Sequence, residues 1–176
     1  CRSMINAAEK NKVKLMIAYR LHFEAANLEA IRIAQSGKLG DLKIFNSTFT
    51  MQVKDKDNIR LKKDMGGGTL YDIGIYCVNA ARYLFKTDPI EVFAQSVTSE
   101  DRRFKEVDEM TAVYMKFPDN RLATFITSFG AADTSEYDLV GTKGRLKLEN
   151  AYDYAMPMTL TTIIDDKKKH KKFKKR

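Results

Sequence analysis

Residues 109–129 read EMTAVYMKFPDNRLATFITSF, two alternating apolar and polar runs joined by Pro118, Asp119 and Asn120. A period of two turns one face of each run toward a core, and Pro-Asp-Asn is turn chemistry, so the stretch predicts an antiparallel strand pair. Similar β-rich runs surround it: IEVFAQSVTS (90–99), SEYDLVG (135–141), GRLKLEN (144–150) and PMTLTTII (157–164), with GTKG (141–144) as a further turn candidate. Strand follows strand with no helix between. That order predicts a largely antiparallel open sheet, not a doubly wound parallel one.

The helices lie upstream. Residues 3–11 place Met4, Ile5 and Ala8 on one side of a short helix, and VKLMIAYR (13–20) is an apolar run suited to a buried strand. Residues 24–36 carry Ala25, Leu28, Ile31 and Ala34 at helical spacing, and Gly37 stands at the place of a left-handed C-cap. KIFNSTFTMQV (43–53) alternates as a strand, KDKDNIRLKKD (54–64) is a charged connection, and 69–85 is a helix with Leu70, Ile73, Cys77, Ala80, Ala81 and Leu84 on its docking side. The fold class is therefore α+β, an open sheet with helices packed on one face. The domain is expected over 15–165, with a separate helix in 1–14 and a disordered basic tail over 166–176.

At 176 residues the chain suits one core. The formal charge of +8 resides in its end: KKKHKKFKKR (167–176) holds eight of the 31 Lys and Arg, and the remaining 23 match the 23 acidic residues. A run of this kind can bind phosphate backbones through counterion release, but a solvated terminal segment is the ordinary outcome, so nucleic acid is not the expected partner. No apolar run reaches the roughly 18 residues of a membrane span, so no membrane partner is expected. The two cysteines, Cys1 and Cys77, give no disulfide framework and point to a reducing compartment, the cytoplasm, with the periplasm left open. The opening CRSMINAAEKNKVK is spaced as an amphipathic helix and lacks an initiator Met, which reads as a piece of a longer protein.

Three consecutive glycines, Gly66, Gly67 and Gly68, precede the helix at 69–85. Each glycine in an ordered loop costs backbone entropy, and a backbone brought close to a ligand accounts for Gly67 and Gly68. Asp72, Tyr76, Asn79 and Tyr83 form a polar stripe about 100° from the apolar one. Thr69 and Asp72 also match a capping box, and Tyr76 also reads as a boundary tyrosine with a wet hydroxyl. In YRLHFE (19–24), Tyr19, Arg20 and His22 stand between a strand and a helix, where ligand-facing side chains are common. No Cys, His and carboxylate cluster has metal-ligand spacing, and no nucleophile elbow is present. The glycines do not form G-x-G-x-x-G, so a dinucleotide fingerprint fails.

NKVKLMIAYRLHFE, GKLGDLKIFNS, IRLKKDMGGGTLYDIGIYCVNAARYLF and PIEVFAQS, in that order, resemble the Gfo/Idh/MocA oxidoreductases, in particular their glucose-fructose oxidoreductase branch. The resemblance extends to about residue 150. It implies the C-terminal substrate-binding and oligomerisation domain of an enzyme that transfers hydride between NAD or NADP and a sugar, polyol or related compound. By the same likeness Tyr76 is the acid/base, Asp72 its polar partner, and Tyr19 and Arg20 line the nicotinamide and substrate side. It further implies self-association through the open sheet. The family's Glu-Lys-Pro motif and glycine-rich dinucleotide turn are not in this sequence, so the chain alone is expected to be inactive. Two other readings stand beside it: a ligand-binding or dimerisation scaffold without turnover, and nucleic-acid binding through the basic tail.

Overall fold

The computed structural model describes residues 1–174. Eight strands form one sheet: β1 (Leu42–Thr50), β2 (Glu91–Val97), β3 (Met110–Phe117), β4 (Arg121–Ser128), β5 (Thr134–Gly141), β6 (Gly144–Glu149), β7 (Met158–Ile164) and β8 (Lys167–Phe173). Their spatial order is β2-β3-β4-β1-β5-β6-β7-β8. Every neighbouring pair is antiparallel except β1 and β4, because β1 is inserted into the middle of an otherwise sequential meander. The open α+β sheet expected from the alternating runs is the observed one.

Period-two alternation sorts the side chains as the pattern requires. Phe45, Val113, Met115, Phe117, Ala123, Phe125, Tyr137, Leu139, Leu146 and Leu148 are buried. On that face lie α2 (Ala25–Gln35), a π-helical turn at Leu70–Gly74 and α3 (Ile75–Phe85). α2 buries Ala26, Asn27, Ala30, Ile33 and Ala34 and leaves Leu28 44% exposed, so its inward stripe is rotated from the one read through Ala25 and Leu28. Alanines admit a close approach to the sheet, and Asn27 is fixed by polar contacts: its Nδ2 donates to the carbonyls of Leu21 and Ala151, and its Oδ1 accepts from Tyr137. Gly37, with φ +74°, ends this helix as its sequence position suggests.

Two expectations fail. Residues 13–19 form no strand and pair with no ladder; Val13, Leu15, Met16 and Ile17 are exposed, and α1 (Arg2–Lys10) buries none of its residues. Apolar composition alone does not make a strand where no sheet edge meets it. Conversely, the basic segment expected to be disordered is β8, paired along its length with β7, so the domain does not stop at 165. The cause is the connection: Asp165 and Asp166 both take positive φ, 48° and 59°, between the paired Ile164 and Lys167. That is the two-residue hairpin geometry whose twist matches the flanking strands. Alternation then sends the lysines to opposite faces, where their stems can cover apolar surface while the ammonium groups stay wet. Lys175 and Arg176, the end of the expected tail, lie outside the described residues.

Candidate active site

The glycine loop builds the site by folding back on its own approach. Short 3-10 turns at Ile59–Leu61 and Lys63–Met65 lead into Gly66 (φ +79°) and Gly68 (φ +109°), backbone states that side chains disfavour. Gly67 is needed for another reason: a Cβ there would stand 2.6 Å from the Arg60 carbonyl oxygen and 2.7 Å from that of Lys62. The amides of Gly67 and Gly68 donate to those carbonyls of Lys62 and Arg60, each at 2.9 Å. This closure carries the Arg60 side chain to Asp72, with Nε 2.5 Å from Oδ2. The close backbone approach foreseen at the glycines is thus to the chain itself. Gly67 and Gly68 border a separate depression with Ser96 and Thr111, away from the cleft of Asp72 and Tyr76.

The helix does not begin with a capping box. Among the described residues Thr69 makes no side-chain cap; its hydroxyl instead lies 3.0 Å from that of Thr127 and 3.4 Å from that of Thr111, under the helix. Asp72, released from capping, is free to meet Arg60. The π-helical turn at Leu70–Gly74 widens the backbone where Asp72 sits, and Asp72 and Tyr76 both face one cleft of about 510 Å³.

Tyr76 is held by rings. Phe49 meets it edge-on at 5.7 Å and Tyr152 lies at 6.1 Å, while its hydroxyl is 2.8 Å from the hydroxyl of Tyr154. Burial, then the Tyr154 hydrogen bond, raise its pKa well above the ordinary phenol value, so it is protonated at neutral pH. Beneath it the buried Ser47 hydroxyl donates to the Glu136 carbonyl at 2.9 Å and accepts from Tyr152, also at 2.9 Å. The Cys77 thiol, 3.4 Å from Ser47, is pushed up to about 12 by burial and is inert packing.

A second, smaller cavity of about 30 Å³ adjoins Tyr76, and there Tyr19, His22 and Asn79 come together. Asn79 has a buried Nδ2 with no hydrogen-bond partner among the described residues. His22 stacks on Tyr83 at 3.7 Å, and burial lowers its pKa. Arg20 reaches the main cleft indirectly, its guanidinium 4.9 Å above the Tyr154 ring. Of the residues singled out in the sequence, Asp72 and Tyr76 share the cleft, Tyr19, His22 and Asn79 border the adjoining cavity, and Gly67 and Gly68 stand apart. Arg60, Tyr152 and Tyr154 were not foreseen. The only signal for them was YDY at 152–154 and an arginine twelve residues before Asp72.

Chemically, a neutral phenol beside a carboxylate can hold a hydroxyl or carbonyl by two hydrogen bonds and exchange a proton with it. Among the described residues no group of three or more His, Cys, Asp or Glu could hold a metal ion, and no helix is long and apolar enough to cross a membrane.

Comparison with known proteins agrees with this fold. The family model described as GFO/IDH/MocA C-terminal domain matches residues 27–147. The D-xylose 1-dehydrogenase (NADP(+)) of Haloarcula marismortui is 32% identical over 155 residues, 85% of this chain and 43% of that protein. The trans-1,2-dihydrobenzene-1,2-diol dehydrogenase of Danio rerio is 32% identical over 147 residues, 84% of this chain and 43% of that one. Among solved structures, the aldose-aldose oxidoreductase of Caulobacter crescentus, complexed with glycerol, superposes with a TM-score of 0.93 at 31% identity, covering 100% of this chain and 52% of its own. The chain thus spans less than half the length of the curated relatives it matches. With more than half of its residues under that family model and a fold that follows the solved relative throughout, the chain belongs to the GFO/IDH/MocA family, as its C-terminal domain.

Proposed function

We propose that this chain is the substrate-side domain of an NAD(P)-dependent oxidoreductase that acts on a hydroxyl or carbonyl carbon of a sugar, polyol or related compound. The observation that carries the reading is the shared cleft of Asp72 and a protonated Tyr76. Its support is the activity of the relatives, sugar and diol dehydrogenases among them. The cleft residues suit the reacting end of such a complex: the aromatic rings accept a flat ring, and Asp72, paired with Arg60, together with the carboxylates of Asp133 and Asp153 offers acceptors to a polyhydroxyl compound. They do not suit a pyrophosphate, since the glycines before the helix do not form G-x-G-x-x-G and their amides donate to the chain's own carbonyls. A bound nicotinamide would supply or take the hydride. Tyr76 would exchange the proton at the substrate oxygen, and Asp72, fixed by Arg60, would orient a neighbouring hydroxyl. Alone, without a dinucleotide-binding domain, the chain would not turn over. The test is nicotinamide absorbance in the whole protein that carries this chain, with aldoses and polyols as substrates. Absence of turnover with either dinucleotide across that panel overturns the reading and leaves a ligand-binding scaffold.

Self-association through the open sheet is part of this proposal. The face opposite the helices exposes Phe93, Tyr114, Leu122, Ile126 and Ile44, brought side by side by the strand registers, and an apolar patch of this kind is a liability in a monomer. Sedimentation at micromolar concentration should show a dimer or larger species; monomer alone would refute it. Cytoplasmic residence belongs to the proposal too, supported by two unpaired cysteines.

A further inference from the structure

The Tyr76 hydroxyl has one hydrogen-bond partner among the described residues, and it is another phenol, Tyr154, at 2.8 Å. The two differ in setting. Tyr76 is wedged between Phe49 and Tyr152, whereas Tyr154 is 48% exposed. A ligand filling the cleft would cover Tyr76 and cut it off from water, so a proton arriving there needs a way out.

The loop bearing Tyr154 is built to hold it still. Tyr152 anchors the loop in the core, Ala151 donates to the Ser135 carbonyl at 2.7 Å, and Asn150 closes the loop on the Pro157 carbonyl at 2.8 Å. The Asp153 carboxylate accepts from the amides of Ala155 and Met156, at 2.6 and 2.7 Å. None of these bonds uses the Tyr154 side chain, so the loop does not need its hydroxyl to fold. What that side chain does touch is functional: Tyr76 on one end and, above its ring, the Arg20 guanidinium, which also lies 3.6 Å from Glu24.

We propose that Tyr154 is the outer member of a two-phenol proton relay, carrying to solvent the proton that Tyr76 takes from the substrate hydroxyl, with Arg20 fixing the outer ring. The proposal rests on the oxidoreductase reading above. In the oxidative direction the carbon gives up a hydride, with its electron pair, to the dinucleotide. The hydroxyl proton moves to the Tyr76 oxygen as the Tyr76 proton moves to the Tyr154 oxygen and the Tyr154 proton to water. Each phenol ends with one proton, and the substrate has lost two electrons and two hydrogens. Reduction runs the same path backwards. Tyr154 lines the outer part of the same cleft, 48% exposed, and its part in the reaction is to pass on the proton received from Tyr76. Other charged or titratable groups around Tyr76 are Asp72, with Arg60 on it, Asp133, Asp153 and Tyr152 in the cleft, and Tyr19, His22, Tyr83 and Tyr137 at the adjoining cavity.

Two measurements test it. In the full chain carrying ring-labelled tyrosine, Tyr154→Phe should change the Tyr76 ring-carbon shift at neutral pH, because it removes the hydroxyl that lies 2.8 Å from that of Tyr76. In the whole enzyme the same variant should slow single-turnover hydride transfer about tenfold, within the range of general acid–base effects, with substrate affinity kept within about twofold. The solvent-deuterium isotope effect on transfer should change as well, which a merely structural residue would not produce. Arg20→Gln, which leaves both hydroxyls in place, should give a smaller loss in the same direction. An unchanged Tyr76 ring signal, or a transfer rate within twofold of the original, overturns the relay. Wild-type turnover in the same assay separates that outcome from failure of the oxidoreductase reading.

Discussion

Gly67 is where fold and site meet most tightly, and its replacement by alanine can be worked through from distances. Gly67 does not have positive φ, so alanine is not strained by its own backbone. The added Cβ would instead stand 2.6 and 2.7 Å from two carbonyl oxygens and 2.9 Å from the Arg60 carbonyl carbon. All three are backbone atoms, so the loop must move. The two amide bonds that close it, both 2.9 Å, are then broken or stretched. At about 0.5–1.5 kcal/mol each, their loss totals roughly 1–3 kcal/mol. Gly66→Ala is the control: its φ of +79° costs about 1–2 kcal/mol in alanine, but nothing lies within 4 Å of the new carbon. Both variants lose the same glycine flexibility in the unfolded chain, so that contribution cancels in the comparison. In urea, with a slope of about 2 kcal/mol per molar, Gly67→Ala should lower the midpoint by on the order of 1 M. It should also displace Arg60, seen as loss of the Asp72 contact in the carboxyl carbon shift, whereas Gly66→Ala should leave that shift unchanged. Equal effects of the two variants on the Asp72 signal would refute the claim that Gly67 positions Arg60.

Other consequences follow from the polar groups. Ser47→Ala strips the buried Tyr152 hydroxyl of its acceptor and should cost about 1–3 kcal/mol, more than Tyr152→Phe, which leaves Ser47 bonded to the Glu136 carbonyl and should cost about 0.5–1.5 kcal/mol; urea titration of the pair decides, and the reverse order would contradict the network. Asp138 has its pKa raised, chiefly by burial, so the folded state penalises its charge. Its contribution to stability is present below the unfolded carboxyl pKa and lost as pH rises through the folded one. Asp138→Asn should therefore raise Tm at pH 7, with the gain fading toward about pH 4; a gain that persists in acid would show a different cause. β8 sets Lys167, Lys169 and Lys171 two residues apart on one face, about 7 Å between neighbours. Raising salt to about 1 M shortens the screening length to roughly 3 Å, so hydrogen-exchange protection of the β8 amides should increase, and a decrease would show that ion pairs hold the strand.

The strands from β3 to β7 were legible because one face is more buried than the other, which writes a period of two into the chain, and β2, exposed along its whole length, was legible from its β-branched and aromatic residues. β8 was not, since every residue from Lys167 to Lys172 is basic and gives no alternation to read; its turn, two aspartates in left-handed conformation, is a minor use of that residue type. VKLMIAYR misled for the opposite reason, having strand composition but no ladder partner among the described residues. Within the site, Asp72 and Tyr76 could be paired from helical spacing alone. Tyr154 could not, because its approach to Tyr76 depends on how the 150–157 loop turns after β6, and that is fixed by Asn150, Asp153 and a buried Tyr152 acting across the fold. The capping box was a sound local inference that the tertiary structure overrode: Thr69 is 1% exposed and finds Thr127 and Thr111 instead.

The proposed role of Tyr76 as the proton-exchanging group is tested most directly by Tyr76→Phe in the whole protein. The phenol's ring contacts with Phe49 and Tyr152 survive that change, so the fold and the substrate affinity should persist. The account predicts a fall of about 10²–10⁴ in the rate of hydride transfer with substrate binding nearly unchanged. Transfer at the original rate in the phenylalanine variant would contradict it.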